Sequence, residues 1–221
     1  MKTTTTTVLV SGFSAFGPYP ANSSGLVAES LECRELRGYS LRSHIFSATI
    51  PKRNEDRGYF LFQRALQINA RGIISLGMSS TKRGFAIETL AANRICDDRY
   101  CPKQLKDPRV NRKAAYDSKI PIDLSGWNIG LFRYQCGLEG LDVETSANAG
   151  GFCCNHLIYQ LLVAQKKTRR FRLIHWIFIH IPCSPEAVPN PMGDFETSGK
   201  ITMNVEEVIH GLGLLLDTAN I

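Results

Sequence analysis

"LDVETSANAGGFCCNHLIYQLLVAQKKTRRFRLIHWIFIHI", residues 141–181, decides the fold class. Its opening, 141–147, reads as a strand. Residues 155–167 carry apolar side chains at helical spacing, and "RLIHWIFIHI" at 172–181 is a run of β-branched and aromatic residues bounded by charge, a second strand. That run is interrupted by two histidines and falls short of the roughly 20 apolar residues that cross a bilayer. The basic segment "KKTRRFR" (166–172) follows the predicted helix, where cations complement the carboxyl-end dipole and point into solvent. No stacking aromatics or nucleic-acid module accompany it, so no nucleic-acid partner is expected.

The same alternation extends in both directions. "TVLVSGF" (7–13) reads as a strand ending in glycine, and "NSSGLVAESLE" (22–32) as a capped helix with Leu26, Val27 and Leu31 on one side. Residues 40–50 are strand-like, 58–69 helical, 72–78 a short buried strand, and a helix over 202–217 closes the chain. The stretch 96–127, with Pro102, Pro108 and Pro121, predicts a long loop with at most a short helix near 112–116. Strands alternating with helices imply an α/β fold: a three-layer α/β/α sandwich with a largely parallel central sheet.

Length and composition agree with one such unit. With 221 residues and 43% hydrophobic content the chain supports one sizeable core, so residues 1–221 are expected to form a single domain with 1–6 as a disordered tail. "MKTTTTTVLVSGF" has a threonine run where a signal peptide needs an apolar stretch, which predicts a cytoplasmic protein with no membrane partner. Seven cysteines, at 33, 96, 101, 136, 153, 154 and 183, are then expected as free thiols. A zinc site from Cys153, Cys154, His156, His180 and Cys183 is disfavoured, because no C-x-x-C pair exists and adjacent cysteines diverge around a helix. No metal is expected.

Open parallel sheets hold ligands beyond the carboxyl ends of their strands. Cys154 follows the strand 141–147 through Gly150 and Gly151 and opens a helix, whose N–H groups favour a thiolate and supply donors for an oxyanion. His180 closes the next strand and is placed to take the thiol proton and later protonate a leaving amine. Glu88, in "GFAIETLAAN", is placed to orient the imidazole. Each has an ordinary alternative: a packed thiol, a satisfied core histidine, a surface charge. Spacing alone leaves open which of Cys153 and Cys154 acts.

Three motifs resemble those of the type I pyroglutamyl peptidases, also called pyrrolidone-carboxylate peptidases. "GFSAFGPYPANSS" (12–24) is similar to the family's G-F-x-x-F-G-x4-N-P-S, "SANAGGFCCNH" (146–156) to its S-x-[ST]-A-G-x-[FY]-x-C-N-H, and "FIHIPCSPE" (178–186) to its F-I-H-[VI]-P-x-x-P-E. The resemblance covers the whole domain, with 89–135 matching poorly. It implies a cysteine exopeptidase that removes amino-terminal pyroglutamate from peptides through a thioester, with no cofactor and a homo-oligomeric assembly. It implies Cys154 as nucleophile with His180 and Glu88, and leaves Cys153 as a packing thiol. It also implies Phe13, Phe16 and Phe152 as walls for the lactam ring, with Asn22 bracing their loop; a plain helix cap is the other reading of Asn22. The chain departs from the pattern at Met78, where the family has glutamine, at Ser23, where the motif has proline, and at "NRICDDRYC", which leaves Arg94 and Arg99 as competing equivalents of a family arginine. Met78 suggests an alternative, a thiol hydrolase acting on another cyclic or amide acyl group. A further alternative is an inactive binding protein of this fold.

Overall fold

The computed structural model describes residues 5–52, 54–95, 107, 109–189 and 202–221. Its first strand, β1 (Thr6–Phe13), begins inside the expected tail, of which residues 1–4 lie outside the described part. Then come α1 (Ser23–Ser30), β2 (Glu35–Leu36), β3 (Tyr39–Phe46), α2 (Arg57–Gln67), β4 (Ala70–Met78), β5 (Phe85–Glu88), β6 (Leu90–Ala92) and β7 (Lys119–Pro121). The chain continues through α3 (Ile129–Leu138), β8 (Val143–Ser146), α4 (Cys153–Gln165), β9 (His175–Ile181) and α5 (Val205–Asp217).

One sheet runs in the order β2-β3-β1-β4-β9-β5-β8, and β6 pairs with β7 in a separate two-stranded ladder. The strands β3, β1, β4 and β9 are mutually parallel. β5 runs against β9 while β8 follows β5, so β8 and β9, the strands on either side of α4, run in opposite directions.

Side-chain alternation divides the core between the faces of the sheet. Val8, Val10, Ile74, Leu76, Ile177 and Ile179 pack under α1, α3 and α5. Leu9, Ile73, Trp176 and Phe178 pack under α2 and α4, where Leu61, Phe62, Leu157, Ile158 and Leu161 are all 0% exposed. Each such side chain contributes about 1.5–3 kcal/mol through burial. α2 and α4 approach so closely that a Cβ on Gly58 would stand 2.3 Å from the carbonyl carbon of Gln160.

The segment before β7 stays within the expectation of a loop with at most a short helix, since residues 112–117 form turns and no helix; the strand β7 itself falls where only loop was expected. The Asn93 side chain explains the turns, donating to the carbonyls of Asn111, Ala114 and Ala115 and accepting from Asn111 N–H, so these groups are satisfied without helical bonds. Cys96, Arg99, Cys101, Pro102 and Pro108 lie outside the described residues. Cys33, Cys136, Cys153 and Cys154 are free thiols. The cations Lys166, Lys167, Arg169, Arg170 and Arg172 stand exposed past the end of α4, where Lys167 pairs with Asp56 at 2.7 Å. Among the described residues no helix is long and apolar enough to cross a membrane.

Candidate active site

Gly77 on β4 and His180 on β9 are register partners on the face that carries α4, and Ala86 of β5 faces His180 from the other side. Glu88, two residues along β5, therefore shares that face. Its carboxylate is 0% exposed and its Oε1 lies 2.8 Å from His180 Nδ1, while Oε2 is buried without a partner. Because a carboxylate oxygen only accepts, the ring proton sits on Nδ1 and leaves Nε2 free to accept.

The loop from β8 turns at Gly150, whose φ of +77° favours glycine, and delivers Cys154 to the first turn of α4. A Cβ on Gly77 would meet Cys154 Sγ at 2.9 Å and His180 Nε2 at 3.0 Å, so one bare glycine lets thiol and imidazole share the same small space. The expectation of a single carboxyl edge needs amending. Glu88 ends β5 and Cys154 follows β8, but these strands run against β9. They reach the site because each is only four residues long: β5 pairs with β9 only at His180 and Ile179, and β8 lies beside β5 over Phe85–Glu88.

The thiol itself departs from the sequence expectation. Its hydrogen bond with the Cys153 thiol, burial, and the charges of Cys153 and Glu88 hold its pKa well above the ordinary value, while its own backbone N–H works in the opposite direction. The helix terminus is outweighed, and the resting Cys154 side chain is a thiol. Cys153 is 4% exposed in the core under α4, so it packs as expected and also bonds its neighbour. Phe152 is the N-cap of α4 and makes no side-chain cap bond, so no side chain covers the helix's leading N–H groups from that position.

Phe16 and Phe152 meet with ring centroids 6.0 Å apart, and Tyr19 adds to Phe16 at 5.2 Å. Phe13 is 1% exposed and packs on Phe46 at 6.2 Å, deeper in the same apolar cluster. Both readings of Asn22 hold: its Oδ1 accepts from Ser24 N–H as a cap, and its Nδ2 donates to Ser14 O and braces the loop between the two phenylalanines. Met78 turns its thioether to Ser23 N–H at 3.4 Å. Arg94 reaches the loop ahead of Cys154, with Nη2 3.1 Å from Asn148 Oδ1, whereas Arg99 lies outside the described residues.

Two residues of the site were not singled out from the sequence. Asn155 accepts from Ala92 N–H and donates to the carbonyls of Ala92 and Arg94, tying α4 to β6 directly after Cys154. Gly77 lies in the expected strand 72–78, directly before Met78; a glycine inside a buried strand is the signal for close approach. Among the described residues no three His, Cys, Asp or Glu side chains converge as ligands of a metal. Half-buried thiol, accepting imidazole nitrogen and oriented ring form an arrangement suited to acyl transfer.

Comparison with known proteins gives one family. The family model described as pyroglutamyl peptidase matches residues 6–220. A pyrrolidone-carboxylate peptidase of Bacillus cereus is 28% identical over 96% of this chain and 91% of its own length, and one of Streptococcus pneumoniae is 27% identical over 95% and 91%. Among solved structures, the pyroglutamyl peptidase I of Bacillus amyloliquefaciens superposes with a TM-score of 0.76 at 21% identity, covering 98% of this chain and 95% of that one. The pyrrolidone carboxyl peptidase of Thermococcus litoralis gives 0.74 at 21% identity over 97% and 93%.

Proposed function

This chain belongs to the pyroglutamyl peptidase family, and from that premise we propose that it is a cysteine exopeptidase that releases pyroglutamate from the amino terminus of peptides. The observation that carries the residue assignment is the convergence of Cys154 Sγ and His180 Nε2 over Gly77, with Glu88 on the opposite ring nitrogen.

In this reading the flat lactam lies against Phe16 and Phe152, with Phe13 supporting them from the core. The Met78 side chain is engaged by Ser23, so the polar edge of the ring is met by backbone groups. The Cys154 proton moves to His180 Nε2 as sulfur attacks the pyroglutamyl carbonyl. The growing oxyanion is met by N–H groups at the start of α4. Collapse of the tetrahedral species breaks the C–N bond, His180 protonates the leaving amine, and a thioester remains on Cys154. Water, losing a proton to His180, hydrolyses it to pyroglutamate and the free thiol. Glu88 keeps the ring in one tautomer and stabilises its charged form.

The reading also includes a cytoplasmic protein that self-associates without nucleic acid. It is supported by the exposed apolar row of Leu131, Tyr134 and Leu138 on α3, at 40%, 64% and 70%. Light scattering at micromolar concentration tests the assembly, and a monomer there removes it.

The test of function is cleavage of a pyroglutamyl amide bearing a fluorescent leaving group, set against its glutaminyl analogue. Placing an unpaired ammonium between aromatic rings costs several kcal/mol, so discrimination of more than about a hundredfold is expected. Iodoacetamide labelling at Cys154 without cleavage of the pyroglutamyl substrate would point to another acyl group.

A further inference from the structure

The two sides of the nucleophile differ. In the sheet, β4 and β1 lie to one side of β9 and β5 to the other. Phe16 follows β1 and Met78 ends β4, so the proposed acyl site occupies the first side. On the second side β5 leads through Thr89 into β6, and there a cavity of about 260 Å³ is lined by Leu90, Ala92, Arg94, Lys119, Asn148 and Asn155, among others. Asn155 directly follows Cys154, and Leu90 is two residues beyond Glu88, so the cavity opens within one or two residues of two members of the proposed catalytic group. His180, on β9 between β4 and β5, would protonate a leaving amine that departs in this direction.

The walls carry two cations. Lys119 is exposed and forms no ion pair among the described residues. Arg94 places Nη1 3.4 Å from Asp117 Oδ1 and Nη2 3.1 Å from Asn148 Oδ1, while its Nε is buried with no partner among the described residues. Asp117 offsets one of the two charges and leaves a positive surplus. The cavity lies just below the range of about 300–1,000 Å³ typical of small-molecule sites, which suits a leaving group of one or two residues.

We propose that this cavity receives the free carboxylate of a short leaving group, with Lys119 as a specificity-determining residue, so that pyroglutamyl dipeptides are preferred substrates. The inference rests on the activity proposed above and adds the nature of what is released. A longer peptide, or one with an amidated end, presents no charge at that distance from the scissile bond. An exposed cation meeting the carboxylate raises kcat/KM up to about fivefold.

The experiment compares pyroglutamyl-alanine, pyroglutamyl-alanine amide and the pyroglutamyl coumarylamide in the wild type, Lys119→Gln and Lys119→Glu. The expected result is a wild-type preference for the free acid over the amide, its loss in Lys119→Gln and its reversal in Lys119→Glu, with coumarylamide turnover unchanged in all three. Equal kcat/KM for acid and amide in the wild type, or a preference that survives both substitutions, overturns the inference while leaving the activity intact. Inertness toward all three substrates overturns the activity and the inference together.

Discussion

Gly77 lies against Cys154 so closely that a Cβ at position 77 would stand 2.9 Å from the thiol sulfur. Gly77→Ala therefore forces the sulfur or the His180 ring out of the shared space. A displacement of about 1 Å at reacting atoms can cost about a hundredfold in rate. We expect kcat on the pyroglutamyl coumarylamide to fall by about that factor, with a melting temperature close to the wild type, and wild-type kcat in the variant would contradict the geometry.

The two thiols separate cleanly. Cys154→Ser should abolish turnover, because a hydroxyl is far less ionised than a thiol. Cys153→Ala removes the first of the influences that hold the Cys154 pKa up, so its thiolate forms at lower pH. The pH profile of inactivation by iodoacetamide should shift toward acid, and an unmoved profile would show that Cys153 is packing alone.

Glu88→Gln keeps the size of the side chain but removes the charge behind the imidazole, and an amide can present its NH₂ to Nδ1 and invert the tautomer. A loss of kcat of about a hundredfold or more is expected, with KM little changed. Retained kcat would reduce Glu88 to a structural group.

Stability should depend on His156. It is 6% exposed with Nδ1 unpartnered, and burial, followed by the charge of Arg57, lowers its pKa from 6.5 to about 4. The unfolded chain binds the proton more readily, so this contribution is complete above about pH 6.5 and is lost as pH falls toward 4, a change of about 3 kcal/mol. Melting temperatures from pH 7.5 to 4.5 should fall more steeply in the wild type than in His156→Gln, and parallel curves would refute the assignment.

The elements that could be read from sequence are those long enough to show a period. β1, α4 and β9 were clear because runs such as His175–Ile181 are dominated by β-branched and aromatic residues, with only two histidines among them. β5 escaped, since four residues carry no period, and with it the reversal of direction beside β9. α3 escaped for another reason. Only Phe132 and Cys136 of its residues are buried while Leu131, Tyr134 and Leu138 face outward, so its apolar residues do not form one stripe. At the site, Cys154, His180 and Glu88 could be singled out by motif, but the dependence of the thiol on Cys153 and the space at Gly77 arise from strands far apart in sequence.

The contact between Ser23 N–H and Met78 Sδ joins two of the positions at which this chain departs from its family's pattern. Ser23 is 1% exposed, and a backbone N–H so deeply buried requires an acceptor, a demand that proline does not make. The two positions are thus coupled. With serine at 23, an aliphatic residue at 78 would leave that buried N–H without its acceptor. What looks like two independent positions in the sequence is one hydrogen-bonded pair, and it limits which substitutions position 78 can accept beside the acyl pocket.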